Sequence, residues 1–498
     1  MADTADRILA ELRAMGMGVT SLATDSRAVA PGDVFLAYPG ARTDGRRYIG
    51  AAIARGAAAV LWEREGFAWD PAWRVPQRAV AGLREAAGPL AHQVYGRPSE
   101  RLWTIAVTGT NGKTSCTQWI AQALSGAGRS AAVIGTLGMG FASDPGAFAP
   151  DPNTTPDPVV LHRTLARFVE AGARVVALEA SSIGVDQGRL NGLALDVALF
   201  TNLSRDHLEY HGDLERYAQA KMALFRMPGL ARAVLNLDDV VGVRIARVLE
   251  AAGIERIGYS MTPGAAARGG TEHHLEAHDA VVTGEGIAFT LAGSWGAAPV
   301  LSPLLGGFNV ANLLGVAGVL LVSGLSLDQT ARALGALAPV AGRMQRVGGG
   351  DRPLVVVDYA HSPDALDKAL AALADVARAR GGALACVFGC GGERDRGKRP
   401  LMGEAAAARA DFVVVTSDNP RGEDPREIID EILPGVRAPH AVEPDRRAAI
   451  RLAVARAGRG DVVLVAGKGH EQYQEIAGQR MPFSDADEAR AALAEWRG

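Results

Sequence analysis

The chain has 498 residues and a formal net charge of −3, with a pI near 6.4. That length suits three domains of roughly 100–200 residues each, and the mild acidity argues against nucleic acid as the main partner. Hydrophobic residues make up 48% of the sequence, enough for large cores, yet they form no run of about 18 such as a membrane-spanning helix needs.

The N-terminal stretch is amphipathic and carries acidic residues, so it reads as a surface helix and not as a signal peptide. Cys116, Cys386 and Cys390 are too few for a disulfide framework. Cys386 and Cys390 have no second pair or histidine cluster nearby to complete a metal site, so all three read as reduced thiols. These features fit a cytoplasmic enzyme.

Residues 1–100 read as a small α/β unit, with strands over 33–38 and 57–62 and a helix over 48–55. Its polar turns carry Thr24, Ser26, Arg42, Thr43 and Asp44; taken alone, such turns are solvated loops.

From residue 101 to about 335, strands and helices alternate, as in a mainly parallel sheet covered on both faces. The apolar run 105–107 meets the glycine turn Gly109, Thr110, Asn111, Gly112 and then a helical run from Lys113, Thr114 and Ser115 onward. Glycines allow close backbone approach, and a helix start offers free N–H groups, so this turn is a phosphate cradle. Lys113 can reach outer phosphates and the Thr114 hydroxyl suits Mg2+. Val107 stands where the general P-loop pattern has its first glycine, so only the downstream half of that motif, GTNGKT, is present.

Further strands are expected over 131–134, 175–179 and 197–201. In a parallel sheet the ends of such strands lie along one edge, where ligands bind. Glu179 and His207 are therefore expected to face the phosphates held by Lys113, with Glu179 a suitable Mg2+ ligand. Residues 217–225 read as an amphipathic helix on which Lys221, by pattern alone, is a surface lysine. Residues 255–300 read as an antiparallel excursion. Asn309 and Asn312 stand where a helix opens, placed either to cap it or to recognise a nucleobase.

A linker near 339–344 precedes a third α/β unit, with strands over 354–357, 384–388, 412–416 and 462–466. Each ends in a polar or glycine-rich loop: Asp358 to His361, Gly389 to Lys398, Ser417 to Arg421 and Gly467 to Glu471. These imply a second ligand-binding rim, and two rims suit a two-substrate reaction.

Taken together, the motifs GTNGKT, EASS, TNLSRDHLEYHG, YAQAKMALF, GGFNVANLLG, AGRMQRV, DYAHSPDAL, GGERDRGKRP and DNPRGEDP resemble, in order and over nearly the whole chain, those of the Mur ligases. The resemblance implies a three-domain α/β fold: an N-terminal UDP-binding domain over 1–100, a central P-loop-type ATP-binding domain with a mainly parallel sheet over 101–337, and a C-terminal Rossmann-like amino-acid-binding domain over 338–498. It also implies a cytoplasmic, monomeric enzyme that uses ATP, two Mg2+ ions and CO2 held as a lysine carbamate.

The activity implied is the joining of UDP-N-acetylmuramoyl-L-Ala-D-Glu to a diamino acid through an acyl phosphate. The resemblance places Gly109 to Ser115, Asn309, Arg343 and Asp358 around ATP, with His361 a weaker candidate. It places Thr114, Glu179, His207 and a carbamylated Lys221 around the metal ions. The UDP-sugar peptide falls to Thr24, Ser26, Arg42, Thr43, Asp44, Asn153, Thr154, Thr155, Ser181, Gln187 and Arg189. Ile183 stands where many relatives carry histidine, which leaves a hydrogen bond, either to the second serine of EASS or to the peptide, unaccounted for.

The form DNPR, Asp418, Asn419, Pro420 and Arg421, resembles the motif of enzymes that add meso-diaminopimelate. Arg394 and Arg421 suit its two α-carboxylates, because an arginine fork grips a carboxylate through two bonds. Gly467 and Glu471 would hold the distal end. Addition of L-lysine, a folylpolyglutamate synthetase-like ligase, and an ATP-responsive binding protein without activity are the alternatives.

Overall fold

The computed structural model describes every residue except 1–3, 41–42, 266–268 and 284–285. Arg42 thus lies outside the described residues. The chain forms two compact units. One comprises residues 1–275 and 318–325, and the other residues 276–317 and 326–498.

The first unit begins with the helix Ala5–Ala14, capped by the Thr4 hydroxyl, which accepts from the Arg7 N–H. Four parallel strands follow in spatial order β1 (Leu22–Ala23), β2 (Val34–Ala37), β3 (Ala59–Glu63) and β4 (Gln77–Val80). Side chains alternate between the two faces of a strand. Val34, Leu36, Ala59 and Leu61 accordingly join one core with Ile8, Leu12 and Leu90, while Phe35, Ala37, Val60 and Trp62 join another with Val29 and Ile49.

The strands that carry the chemistry come next: β5 (Trp103–Thr108), β6 (Ala131–Gly135), β7 (Gly138–Phe141), β8 (Val175–Glu179), β9 (Val197–Phe200), β10 (Arg232–Asn236) and β11 (Glu255–Ser260). Their spatial order is β11–β10–β9–β5–β8–β6–β7. All neighbours are parallel except the hairpin β6–β7. β5 therefore lies between β8 and β9, which puts the glycine turn after β5 beside the ends of both. The strands are nearly continuous apolar runs because both faces are covered. Ala106, Ile134, Val176, Leu178, Phe200 and Leu235 fill one core.

The expected antiparallel excursion over 255–300 is corrected at its start. β11 pairs parallel with β10, Arg232 facing Glu255, because the helix Val240–Glu250 supplies the crossover that a parallel pair requires. β12 (His273–Val282) passes from the first unit into the second. There β13 (Ile287–Gly293) and β14 (Gly296–Ser302) form an antiparallel hairpin.

The second unit is built on a six-stranded sheet in the order β15 (Gln345–Gly348), β16 (Leu354–Asp358), β20 (Val462–Ala466), β17 (Leu384–Phe388), β18 (Phe412–Val415) and β19 (His440–Val442). All neighbours are parallel except the edge strand β15. Leu354, Val356, Val462 and Leu464 face one core, and Val355, Val357, Val463 and Val465 face the other. Because β20, late in sequence, sits centrally, the loop after it is flanked by the loops after β16 and β17. A small hairpin, β21 (Tyr473–Ile476) and β22 (Gln479–Pro482), follows.

One buried histidine makes the first unit pH-sensitive. His162, fully buried, is bonded through Nε2 to the Asn191 carbonyl at 3.0 Å, and burial pushes its pKa down from 6.5 to about 4. The ring stays neutral in the fold while the unfolded chain protonates below pH 6.5, so stability is lost as pH falls from 6.5 toward 4. By pH 4.5 this amounts to about 2–3 kcal/mol. In denaturant titrations at pH 7.5 and 4.5, His162→Gln should lose correspondingly less stability than the unsubstituted chain. An equal loss in both would contradict this.

Candidate functional site

The turn after β5 is locked by its neighbours. Gly109 has φ 151° and Gly112 has φ 86°, and a Cβ on Gly109 would collide with the Thr201 hydroxyl, so glycine is required there. The Thr110 N–H donates to the Asn202 carbonyl at 2.8 Å, and the Asn111 N–H to Asn202 Oδ1 at 3.0 Å. Gly112 then caps the helix Lys113–Gly126, whose first N–H groups face outward at the sheet's carboxyl edge.

Two lysines converge on this turn. Lys113 Nζ donates to the carbonyls of Gly109 at 2.8 Å and Thr110 at 2.9 Å, and Lys221 Nζ also donates to Gly109 at 2.8 Å. Lys221 is not the surface lysine that helical spacing suggests. It is 1% exposed, near the end of the helix Leu214–Met222, with its amine over the Tyr217 ring at 4.4 Å. Burial, reinforced by the neighbouring Lys113 charge, holds its pKa well below the usual lysine value. The Tyr217 hydroxyl in turn meets Thr110 Oγ1 at 3.2 Å.

Glu179 ends β8, and both its oxygens are engaged. Oε2 accepts from the hydroxyls of Thr114 at 3.0 Å and Thr136 at 3.2 Å, and Oε1 from the Thr136 N–H at 2.8 Å. A carboxylate and the Thr114 hydroxyl at a helix start form an all-oxygen donor set of the kind a hard divalent cation takes. His207, half-buried, adopts φ 53°, a conformation uncommon outside glycine. Its ring nitrogens lie 3.6 Å from the carboxylates of Asp206 and Glu209.

Of the residues expected to hold the sugar peptide, Thr154, Thr155, Ser181, Gln187 and Arg189 lie in one hydrogen-bonded patch. Thr154 and Thr136 hydroxyls are 3.1 Å apart. Thr155 Oγ1 donates to the Glu179 carbonyl at 2.8 Å and meets Ser181 Oγ at 2.9 Å. Arg189 donates to the Thr155 carbonyl at 2.8 Å and to Gln187 Oε1 at 2.7 Å. Asn153 is half-buried just before Thr154. Thr24 reaches the same region, donating to Asp157, whose carboxyl burial pushes above its ordinary value. Among the described residues, no hydrogen bond joins Ser26, Thr43 or Asp44 to the glycine turn. Thr43 meets the Tyr48 hydroxyl at 3.2 Å, and Asp44 pairs with Arg46 at 2.7 Å. Of the two bonds that Ile183 leaves open, the one to the second serine has another partner: His211 Nε2 lies 3.0 Å from Ser182 Oγ.

In the second unit Asp358 accepts from the N–H groups of Met344 at 2.7 Å and Ala360 at 2.9 Å. Burial raises its pKa and the Arg343 charge opposes the rise. Arg343 stacks over the Tyr359 ring at 4.5 Å, while His361 is exposed. Asn309 Nδ2 donates to the Leu305 carbonyl at 2.7 Å, and Asn309 Oδ1 accepts from Asn312 at 2.8 Å, so the pair braces the entry of the helix Phe308–Val322.

The DNPR loop is buried from Asp418 to Pro420. A Cβ on Gly467, which has φ 116°, would press on Asp418 Oδ2 at 2.5 Å. Arg421 is held with φ 54° by backbone bonds to Glu475 at 3.0 Å and Ala477 at 2.7 Å. Such a conformation costs about 1–3 kcal/mol and persists only where neighbours enforce it. Arg421 Nη1 donates to the Gly392 carbonyl at 2.8 Å. Arg394 is exposed, with a 3.3 Å bond to the Glu393 carbonyl. Glu471 accepts from Asn419 Nδ2 at 2.8 Å. Lys468, inside the expected loop but given no role, proves fully buried. The cysteines are buried too, and burial pushes the Cys390 thiol up to about 12.

Three family models match in sequence order: the Mur ligase family catalytic domain over 18–95, the Mur ligase middle domain over 107–320, and the Mur ligase glutamate ligase domain over 342–469. The chain belongs to the Mur ligase family. Among its Mur ligase relatives are the UDP-N-acetylmuramoyl-L-alanyl-D-glutamate--2,6-diaminopimelate ligases of Janthinobacterium sp. (strain Marseille) and Ralstonia nicotianae. The first is 50% identical over 483 residues, covering 95% of this chain and 94% of that protein. The second is 51% identical over 497 residues, covering 98% and 95%. A solved structure of a ligase of that name has a TM-score of 0.69 and 38% identity, covering 96% of this chain and 95% of that one. The MurF ligase from Thermotoga maritima in complex with ADP shares the Mur ligase fold, with a TM-score of 0.62 at 19% identity, covering 96% and 97%.

Lys221 has a testable cost. Its pKa is depressed in the fold from 10.5, so unfolding takes up a proton, and stability should rise with pH through the interval up to about 10.5. In CO2-free buffer, the stability of Lys221→Met relative to the unsubstituted chain should be greatest near neutral pH and decline toward pH 10.5. Thermal melts at several pH values check this; a difference that does not change with pH would contradict it.

Proposed function

We propose that this Mur ligase is an ATP-dependent enzyme that adds meso-2,6-diaminopimelate to UDP-N-acetylmuramoyl-L-alanyl-D-glutamate, a step of peptidoglycan synthesis. The observation that carries this is the DNPR loop with Arg421 fixed in a strained conformation, together with relatives of that name at about half identity over nearly the full length. We further propose domains over 1–100, 101–337 and 338–498; the three matched ranges fall within these bounds. We place the enzyme in the cytoplasm as a monomer. No helix among the described residues is long and apolar enough to cross a membrane.

The chemistry follows from the groups present. A carboxylate is a poor acyl donor. Its oxygen attacks the γ-phosphorus of ATP, ADP leaves, and an acyl phosphate forms. The amine of the diamino acid then attacks the acyl carbon, a tetrahedral intermediate collapses, and phosphate leaves with the amide made. Most of the catalysis is positioning and charge neutralisation.

Gly109 to Ser115 would wrap the phosphates, with Lys113 swinging from its carbonyl partners to the β- and γ-oxygens. Asn309 would contact adenine, and Arg343 and Asp358 would complete the nucleotide contacts. Two Mg2+ ions would be held by Thr114, Glu179, His207 and Lys221 carrying CO2 as a carbamate, neutralising phosphate charge. Lys221 suits that role because burial and the Lys113 charge lower its pKa, which favours the unprotonated amine, the form that adds CO2. Thr24, Ser26, Thr43, Asp44, Asn153, Thr154, Thr155, Ser181, Gln187 and Arg189, with Arg42, would bind the sugar peptide. Arg394 and Arg421 would each grip a carboxylate, with Asp418, Asn419, Gly467 and Glu471 at the distal amino-acid end. L-Lysine would leave one arginine unpaired, the basis of selectivity.

The test is phosphate release with UDP-N-acetylmuramoyl-L-Ala-D-Glu, ATP and a panel of meso-diaminopimelate, its LL isomer and L-lysine. Release should need both acceptor and amino acid and be greatest with the meso isomer; L-lysine as the best substrate, or release needing neither, would overturn the reading. Arg421→Ala should raise KM for diaminopimelate by about tenfold or more with KM for ATP little changed, since the lost contact is to the amino acid alone. Equal effects on both would make Arg421 structural.

A further inference from the structure

We propose that Lys468 is a positioning residue for the diamino acid, acting by aiming Glu471 and the Asn419 amide; this deepens the ligase reading and rests on it. Lysine side chains are almost never fully buried unless paired, and Lys468 is 0% exposed. Its Nζ donates to Asn419 Oδ1 at 2.9 Å and to Glu471 Oε2 at 3.0 Å, over the Tyr473 ring at 5.5 Å. Asn419 closes a triangle by donating from Nδ2 to the same Glu471 Oε2 at 2.8 Å.

The triangle has only one workable arrangement. Asn419 Oδ1 accepts both from Lys468 Nζ and from the Glu475 N–H at 2.9 Å. Turning the amide over would set its NH2 against an ammonium and an N–H, two donors with nothing to accept them. The ammonium and the Glu475 N–H together fix which way the amide faces, and the amide then presents its NH2 to Glu471. Both donors reaching Glu471 fall on Oε2, so the carboxylate is pinned by one oxygen and offers Oε1 to an incoming cation. The Glu471 side chain keeps 20% exposure, enough for Oε1 to meet a ligand.

A buried cation thus orients the anion that receives the ammonium of the diamino acid. Gly467 and Gly469, on either side, have φ 116° and 54°; this backbone folds the lysine inward beneath the loop. The neighbouring pair Arg446–Asp485, buried on both sides with Nε–Oδ1 at 2.7 Å, ties the same layer together. Arg446 donates to the Ser417 carbonyl at 3.2 Å and the Ala466 carbonyl at 2.9 Å. Arg446 also acts on Glu471 through its charge, but the hydrogen bonds that aim the Glu471 carboxylate come from Lys468 and from the amide that Lys468 helps to orient.

The experiment is steady-state kinetics of ligation for the full chain, with Lys468→Met, Lys468→Gln, Glu471→Gln and the Lys468→Met/Glu471→Gln double variant. Lys468→Met should raise KM for meso-diaminopimelate about tenfold or more, with kcat and the KM values for ATP and the UDP-sugar peptide within about threefold. Lys468→Gln, which keeps one donor, should fall between Lys468→Met and the unsubstituted chain. The double variant should have the KM of Glu471→Gln alone, because the lysine acts through that carboxylate; effects that multiply would mean an independent role and overturn the proposal. So would a uniform rise in all three KM values, a fall confined to kcat, or failure of both single Lys468 variants to fold. If the unsubstituted chain ligates no diaminopimelate, the ligase reading itself fails, a result distinct from any of these.

Discussion

Two lysine amines share one carbonyl oxygen, that of Gly109. Lys113 and Lys221 both donate to it at 2.8 Å, and Lys221 does so from a position closed to solvent. Like charges so placed repel, and burial penalises a charged amine further. Burial first, and the Lys113 charge second, lower the pKa of the Lys221 amine well below the usual lysine value. The turn thus carries two amines in unlike surroundings, one half-buried and one closed to solvent. The rest of the first unit serves this turn. β5 lies between β8 and β9, so Glu179 and the Asn202 loop flank it, and Thr201 leaves no room for any side chain at Gly109.

The loops of the second unit obey the same geometry through a different sheet. With β20 between β16 and β17, the carboxyl ends of four strands bring Asp358, Gly389, Asp418 and Gly467 to one edge. There the charges are paired within the protein: Lys468 with Glu471, Arg446 with Asp485, and the fully buried Arg399 with Glu423 and Glu431. Arg421 is the contrast, since its guanidinium meets a backbone carbonyl and, among the described residues, forms no ion pair with a carboxylate. An arginine on a strained backbone with no acid beside it is suited to a carboxylate brought from outside.

Much of this was legible in the sequence. The central strands were placed to within two residues, since buried parallel strands are continuous apolar runs bounded by polar turns. The loops Gly109–Lys113, Glu179–Ser182, Ser417–Arg421 and Gly467–Glu471 stood out because strand ends in such sheets collect ligand-binding groups. What stayed hidden was mostly non-local. The burial of Lys221 depends on a carbonyl 112 positions away, and helical spacing alone put that lysine on the surface. His211 as the partner of Ser182, and Thr136 as the clamp on Glu179, are likewise set by tertiary contact. The edge strands β1, β7, β15 and β19 are too short or too polar to show a period. The direction of β11 is not readable from its own residues, because the crossover helix Val240–Glu250 decides it.

The proposed carbamate on Lys221 rests on the burial of that amine beside Lys113. The most direct measurement is the 13C NMR spectrum of the chain equilibrated with 13C-bicarbonate at neutral pH, alongside Lys221→Met. A carbamate resonance present in the unsubstituted chain and missing from the variant is the predicted result. No carbamate resonance, or one that survives the substitution, would contradict the account.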